Sequence, residues 1–360
     1  MLTRKIRTGI VFSLALAFIV IVAIAFYADF PHMVTALVDF RWEFFPLILG
    51  LTLFNYFWRF LKWQYYLNRL EIPIHRIKSL LIFLSGLSMA ITPGKVGELL
   101  KSYLLKSSTG APVSRTSPII MAERLTDGIA MIGLAITGLV LYRFGWELVL
   151  ALCLIVITFV LIIQNRRLSL TLLSFGERLP VVSPLAHLIR TFYESSYALL
   201  QWRPLLFAIL IGLISWSGEC AALFFVYAGL GIAFSLDVFI KSMFILAVSS
   251  LVGSVSGLPG GLGTADGSML GLTYLLVTPS KAIAGAATLL IRLCTLWFGL
   301  GLGVIALILF RTTQRNDFST VRGEMSETQQ PGIEGVILED VGQTDFQTAS
   351  VLSSNGDKAI

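Results

Sequence analysis

The chain is poor in charge: Asp, Glu, Lys and Arg together make up 13% of its 360 residues. A soluble domain carries roughly 25% charged residues. Hydrophobic residues reach 56% and the mean hydropathy is +0.83, so too little polar surface remains to cover a domain in water. The composition excludes a soluble globular protein and predicts an all-α protein that crosses a membrane several times.

Residues that usually carry catalysis or bind metals are also scarce. The three histidines lie far apart without metal-ligand spacing, and the three cysteines lie inside apolar runs, where they are typical packing residues. No Walker loop, Gly-x-Ser-x-Gly or Cys-x-x-Cys motif occurs. We therefore predict no enzyme activity, no cofactor and no metal, and no pattern indicates nucleic-acid binding. These histidines and cysteines are His32, His75, His187, Cys153, Cys220 and Cys294.

Apolar runs long enough to cross a bilayer predict six full spans. Basic residues flank one side, beginning with Arg4, Lys5 and Arg7. The positive-inside rule then places both termini in the cytoplasm and favours the cytoplasmic (inner) cell membrane. The polar stretch 312–360 is predicted to be a disordered cytoplasmic tail. The predicted spans lie near residues 9–28, 44–66, 118–142, 147–164, 204–229 and 281–310.

Two further apolar stretches, 79–106 and 236–278, are each interrupted by a break rich in Gly and Pro. The halves of the first are about 13 and 10 residues long, and neither reaches the roughly 20 residues that a crossing helix needs. Both stretches are therefore predicted to be broken re-entrant hairpins, the first entering from the cytoplasm and the second from outside. Their predicted turn residues are Pro93, Gly94, Gly97, Pro259, Gly260, Gly261 and Gly263.

The two breaks lie at matching positions of two similar blocks. Pro93 and Pro259 are 166 residues apart. The same shift carries Arg124 to position 290, beside Arg292, and carries the second span close to the fifth. Because the blocks run through the membrane in opposite directions, the pattern predicts an inverted-topology repeat. The alternative is two unrelated breaks in one membrane protein.

Irregular backbone persists inside hydrocarbon only where it lines a polar cavity or is enclosed by protein, because each unpaired polar group costs several kcal/mol. Two hairpins from opposite faces bring such backbone toward the bilayer centre, where helix N-termini would offer N–H groups to an anion. Charged residues near the breaks and within the spans are therefore predicted binding residues. They are Arg59, Lys95, Glu98, Lys101, Glu123, Arg124, Asp127, Glu219, Asp266 and Arg292.

Several of these charges also have a simpler interpretation. Arg59 and Lys62 end a span, where long side chains are expected to snorkel to the interface. Glu123 and Arg124 also fit the membrane edge. A further alternative makes Glu123 and Asp127, which share one helical face, the acid and base of a membrane enzyme, although the sequence supplies no nucleophile or metal for it.

At these motifs the chain resembles the lysylphosphatidylglycerol synthase transmembrane-region family, also called flippase-like domain proteins, over about residues 10–310. Asp266 stands where members of this family often carry a glutamate. The resemblance rests on Asn55…Arg59…Trp63, Thr92-Pro-Gly-Lys-Val-Gly-Glu98, Glu123-Arg-Leu-Thr-Asp127, Leu258-Pro-Gly-Gly-Leu-Gly263 and Arg292…Trp297.

The resemblance implies a function in lipid handling. Larger members of the family join this membrane region to a cytoplasmic aminoacyl-transferase domain and move modified phospholipids between leaflets, whereas smaller members lack that domain. The resemblance implies that this chain is of the smaller kind. It predicts that residues 1–311 form a flippase-like domain that translocates an anionic phospholipid or a lipid-linked intermediate, with the head group between the two hairpins. The alternative is an accessory subunit that presents lipid to a separate lipid synthase or glycosyltransferase. The sequence sets neither the lipid nor the oligomeric state.

Overall fold

The computed structural model describes residues 4–92, 97–142, 146–176 and 186–328, and this part of the chain is α-helical without a β-strand. Four of its helical segments are long and apolar enough to cross a bilayer, and a bent pair near the N-terminus adds a fifth if it counts as one crossing. The all-α membrane architecture is thereby confirmed, while the predicted number of six spans stays a prediction. The four segments are Trp42–Arg69, Trp202–Gly229, Leu236–Val255 and Lys281–Gln314.

The chain begins with two helices that meet at a sharp bend. Helix α1 (Arg4–Tyr27) is followed by α2 (Phe30–Val38), and the two are bent by 98°. Asp29 at the bend adopts a left-handed backbone with φ of 60°. Met33 of α2 is buried, whereas Phe30 is exposed. Helix α2 therefore turns away from the axis of α1 and packs one face inward.

Helix α3 (Phe45–Arg69) leads into the first broken stretch, which consists of α4 (Arg76–Leu87) and α5 (Leu100–Thr109). These arms contain 12 and 10 residues, so each is too short to cross a bilayer alone, and they pack against each other. Gly97 leaves no room for a side chain, because a Cβ there would lie 2.4 Å from Thr92 Oγ1. Outside the described residues lie Pro93, Gly94 and Lys95, so the predictions for them stay untested.

The middle of the chain forms helices α6 (Val113–Tyr142), α7 (Trp146–Gln164), α8 (Arg166–Gly176) and α9 (Ala186–Leu199). The predicted spans 118–142 and 147–164 fall on α6 and α7. Helix α9 packs against α6. The long helix α6 therefore has protein, rather than lipid, along much of its length.

Helix α10 (Trp202–Gly229) crosses the centre of the bundle, against α3 and α6. Asn55 Nδ2 donates a hydrogen bond of 3.0 Å to the Ser215 carbonyl across the α3–α10 contact. A Cβ on Gly212 would lie 3.0 Å from Ala130 Cβ, so α6 and α10 approach closely at that glycine. Small residues and buried polar contacts hold membrane helices together in this way.

The second broken stretch consists of α11 (Leu236–Val255) and α12 (Thr264–Leu276), and the break between them lies where the sequence predicts it. The two arms pack against each other. The re-entrant prediction needs a correction for the first arm: α11 has 20 residues, about 30 Å of helix, which is enough to cross alone. The turn is made of left-handed glycines with φ between 61° and 82°, namely Gly260, Gly261 and Gly263.

The last span is a helix interrupted by a wide turn. Helix α13 (Lys281–Arg292) passes through the π-helical turn Leu293–Trp297 into α14 (Phe298–Thr328). A Cβ on Gly285 would lie 2.4 Å from Ala28 Cβ, so the end of α1 lies directly against α13. The sequence predicts one span over residues 281–310 and does not predict this turn.

The chain divides into two units, Met1–Thr313 and Gln314–Ile360. In the second unit only residues up to Thr328 are described, and there α14 continues as helix. The sequence instead predicts disorder from residue 312. The domain assignment otherwise stays a prediction.

Candidate functional site

The first broken stretch is tied to α6 by an ion pair. Arg124 Nε and Nη2 each lie 2.8 Å from a different carboxylate oxygen of Glu98. Such a bidentate pair fixes the guanidinium in one orientation. The Glu98 side chain is 9% exposed and that of Arg124 is 31% exposed. The arginine therefore remains accessible although its charge is compensated.

The second broken stretch is tied to α13 in the same manner. Asp266 Oδ1 accepts a hydrogen bond from Arg292 Nε, and Asp266 Oδ2 accepts one of 2.8 Å from the Gly263 N–H. Arg292 Nη1 also lies 3.5 Å from the Gly260 carbonyl oxygen. The carboxylate thus caps α12 itself. The expectation of a free N–H at this helix N-terminus is wrong for Gly263, because Asp266 occupies it.

A third charged cluster joins α3 to α6. Lys62 Nζ lies 2.5 Å from Asp127 Oδ1 and 3.3 Å from Thr126 Oγ1, and Arg59 Nε lies 3.9 Å from Asp127 Oδ2. Lys62 is fully buried, and the Arg59 side chain is 9% exposed. The snorkelling interpretation of both residues is therefore wrong. Asp127 supplies a counter-charge inside the bundle, so neither cation needs to reach the interface.

A fourth buried pair joins Lys101 of α5 to Glu123 of α6. The lysine Nζ also lies 4.7 Å from the ring centroid of Trp63, in cation–π geometry. Glu123 is 1% exposed, so its charge is enclosed by protein and is compensated by Lys101. Glu123 and Asp127 are each held by a different lysine, which gives the acid–base alternative no support.

A polar cavity of about 370 Å³ lies between the third cluster and the second broken stretch. Arg124 and Arg292, one arginine from each broken-stretch ion pair, both line it. Two buried donors there have no hydrogen-bond partner among the described residues, Arg292 Nη2 and Trp216 Nε1. Its wall also includes Asp127, Glu219 and Gly260. The two guanidinium groups and the unused donors make this cavity suited to an anion.

A smaller and more apolar pocket of about 210 Å³ lies against α1. It shares one wall residue with the polar cavity, Arg292, and Asp266 lines it as well. Its other walls are aliphatic or aromatic, and include Val20, Ile24 and Leu296. The Arg292–Asp266 pair therefore has a polar space and an apolar space beside it.

The two broken stretches meet beside these spaces. A Cβ on Gly260, at the tip of the second turn, would lie 3.4 Å from Ile91 Cγ2 at the end of the first stretch. Leu296 of the π-helical turn lies 3.5 Å from the same point. The tips thus touch each other and the π-helical turn, and the site is assembled from distant parts of the sequence.

Most of the predicted binding residues are brought together. The cavity wall or its ion pairs include seven of them, while Lys101 and Glu123 form a separate pair and Lys95 lies outside the described residues. Within the described chain, His, Cys, Asp and Glu form no group suited to a metal ion. The seven are Arg59, Glu98, Arg124, Asp127, Glu219, Asp266 and Arg292.

Sequence reasoning missed two participants, Lys62 and Trp216. Lys62 had a detectable signal: Asn55, Arg59 and Lys62 recur at helical spacing and mark one polar face of a mostly apolar helix. Trp216 had none, because an indole in a span is normally a packing residue.

Paired broken stretches, with their ion pairs facing one polar cavity, define a polytopic helical membrane protein built around an enclosed charged site. The chain belongs to the family described as the lysylphosphatidylglycerol synthase TM region, which matches residues 10–303. This confirms the resemblance seen in the sequence.

Two similar proteins come from archaea. A UPF0104 membrane protein of Methanothermobacter thermautotrophicus is 27% identical over 278 residues, covering 69% of this chain and 80% of that protein. A UPF0104 membrane protein of Methanocaldococcus jannaschii is 24% identical over 253 residues, covering 65% of this chain and 97% of that protein. The similarity therefore extends over nearly the whole length of the second relative.

Proposed function

We propose that this protein translocates an anionic membrane lipid, either a phospholipid or a lipid-linked intermediate, by binding its head group in the polar cavity. The observation that carries the proposal is that Arg124 and Arg292, from the two broken-stretch ion pairs, line one cavity. Phosphate is recognised well by such guanidinium groups. The proposed activity is transport, with no enzymatic step.

The two ion pairs support the proposed inverted repeat. Glu98 and Arg124 are 26 residues apart, and so are Asp266 and Arg292. Each pair joins a carboxylate just after a break to an arginine in a following helix. Repeats of this kind, with broken helices at the membrane midplane, accompany alternating access in transporters.

The apolar pocket against α1 favours a lipid over a soluble anion. A phospholipid has a charged phosphate and long apolar chains, and Arg292 lines both the polar cavity and the apolar pocket. In the proposed complex, the phosphate contacts the arginine while the start of an acyl chain enters the pocket lined by Val20 and Leu296.

Liposome reconstitution tests the proposal. Purified protein is inserted into vesicles that contain fluorescent phosphatidylglycerol or phosphatidylcholine, and dithionite reports which leaflet holds the label. We expect faster exchange of the anionic lipid. Glu98→Gln, Arg124→Gln and Arg292→Gln should each slow it about tenfold or more, because each removes a charge-assisted contact.

Arg166→Gln is the matched control. Arg166 belongs to an exposed ion pair with Glu194, 56% and 41% accessible, away from the cavity. It should exchange lipid like the unsubstituted protein. Absence of exchange for every lipid would overturn translocation and favour the accessory-subunit alternative, which predicts co-purification with a lipid synthase or glycosyltransferase.

The proposed orientation has the N-terminus and the segment after α14 in the cytoplasm of a cell whose cytoplasmic membrane holds the protein. The basic residues Arg4, Lys5 and Arg7 at the start of α1 support it. Reporter fusions at each end test it, since a reporter active only outside the cytoplasm should stay silent at both.

A further inference from the structure

One carboxylate of the site differs from the others. Glu98, Glu123, Asp127 and Asp266 each lie within 4.0 Å of a cationic nitrogen. Glu219 of α10 is equally buried, at 7% exposure, and lines the same polar cavity. Yet it forms no ion pair or side-chain hydrogen bond with any residue that the structure describes.

The surroundings of Glu219 supply charges at longer range. Helix α10 packs against α3, α6, α9, α11, α13 and the short turn Trp42–Phe44, and neither α9 nor that turn contributes to the cavity wall. Helix α11 contributes Ser250 and Ser254 to the cavity and no charged side chain. The titratable and charged groups that face Glu219 are Tyr56 and Arg59 from α3, Arg124 and Asp127 from α6, and Arg292 from α13.

The buried charges cancel when Glu219 is ionised. The described part of the network holds five cations and five carboxylates, so its formal charge is zero with Glu219 as a carboxylate and +1 with Glu219 as a carboxylic acid. A cavity with net positive charge holds an anion, whereas a neutral one attracts it less. The groups are Arg59, Lys62, Lys101, Arg124, Arg292, Glu98, Glu123, Asp127, Glu219 and Asp266.

We propose that binding of the anionic head group is coupled to the uptake of one proton on Glu219, so that the protein carries an anionic lipid together with a proton. This inference rests on the proposed function and names its coupling ion. The carboxylate takes one proton from water, and the neutral acid then faces the bound phosphate without repulsion. Release of the lipid on the other side returns the proton to water.

Two consequences follow from linkage. Because the bound state holds one more proton, affinity for the lipid rises as pH falls. Above the pH at which free Glu219 ionises, the dissociation constant should rise by up to about tenfold per pH unit. A pH gradient across the membrane should also drive the anionic lipid toward the alkaline side.

The test uses the reconstituted full chain in vesicles that contain fluorescent phosphatidylglycerol, with and without an imposed pH gradient. The unsubstituted protein should accumulate label in the leaflet facing the alkaline side. In Glu219→Gln, which resembles the protonated acid, the lipid exchange that remains should show neither the gradient response nor the pH dependence. Glu147→Gln is the matched control, because Glu147 is exposed on α7, and it should retain both.

The outcomes separate this inference from the proposed function. Exchange by the unsubstituted protein that ignores the gradient, or a gradient response that survives in Glu219→Gln, overturns proton coupling and leaves translocation standing. No exchange with any lipid overturns both. In detergent, a pH indicator should record about one proton taken up per short-chain phosphatidylglycerol bound, and none with Glu219→Gln.

Discussion

Ion pairs between buried residues on different helices hold the helices of this protein together. Asp127 lies on α6 and its partners Arg59 and Lys62 lie on α3. Glu123 on the same helix instead binds Lys101 of α5. Because a charge in hydrocarbon is costly, each residue remains ionised only beside its partner, and each pair therefore fixes a helix–helix contact.

Asp127→Asn should destabilise the protein strongly. The change leaves the fully buried Lys62 beside Arg59 without the carboxylate that lies between them. We expect a loss of about 3–5 kcal/mol in the free energy of unfolding in detergent, the range for breaking a buried ion pair. Adding Lys62→Met should recover much of it. Asp237→Asn, in the more exposed pair with Lys241, is the control and should change little.

Gly86→Ala should disturb the Lys101–Glu123 pair without changing any charge. A Cβ at Gly86 would lie 2.6 Å from Lys101 Cγ, so the lysine stem must move. We expect a loss of about 1–3 kcal/mol in stability, as for overpacking elsewhere. Gly50→Ala in α3 is the matched control, because no atom of another helix lies within 4 Å of its Cβ position. Equal thermal stability of the two variants would contradict the expectation.

The residues of the site lie on or next to the interrupted helices of the protein. The breaks at 256–263 and after Leu87 end helices inside the bundle, and the π-helical turn Leu293–Trp297 follows Arg292 directly. Tyr56 Oη donates a hydrogen bond of 2.8 Å to the Thr295 carbonyl oxygen in that turn. A hydroxyl from a neighbouring helix can in this way satisfy a backbone carbonyl where the helical hydrogen bonding is irregular. Single π-helical turns are common at functional sites.

Tyr56 and Gly299 provide a double-variant test of this contact. Gly299→Ala places a Cβ 2.3 Å from Tyr56 Oη. The ring carbon that bears this hydroxyl, Cζ, lies farther from the Cβ, at 3.2 Å. Tyr56→Phe removes the hydroxyl and its hydrogen bond, at an expected cost of about 1 kcal/mol. The double variant should therefore lose less stability than the two single losses added together. Additive losses would show that the two sites do not interact.

Across the whole protein, the two broken stretches converge from positions far apart in the sequence. Ile91 and Gly260 lie against each other at the tips of the two stretches, and Arg124 and Arg292 line the same cavity. A lipid head group bound there would lie beside Gly260, at the tip of the second turn. Exchange between leaflets in the proposed mechanism requires that the turns separate.

A crosslink between the tips should therefore stop exchange. In a variant without the native cysteines, Ile91→Cys and Gly260→Cys are joined by a short thiol crosslinker, since the Gly260 Cβ position lies 3.4 Å from Ile91 Cγ2. Exchange of anionic lipid should fall on crosslinking and return when the link is cleaved. The single-cysteine variants are controls for the left-handed backbone at Gly260. Full exchange in completely crosslinked protein would contradict the moving-turn mechanism.

Much of the fold could be predicted from the sequence, because apolar run length and Gly/Pro breaks act locally. The break at Pro259–Gly263 and the helices α3 and α10 lie where the pattern indicates. The bend after α1, the full length of α11 and the π-helical turn could not be predicted. They depend on packing against neighbouring helices, and Gly285 against Ala28 is an example.

The sequence by itself determined that the protein is a helical membrane protein of this family, and that its charges concentrate near two breaks, since composition and spacing are one-dimensional properties. Only the tertiary structure decided which acidic side chain forms an ion pair with which basic side chain. Lys62 is buried beside Asp127, although long side chains at span ends normally reach the interface. Glu219 lines the cavity without an ion pair to any of the residues described. These ion pairs depend on the distances between helices, and a local sequence pattern carries no information about those distances.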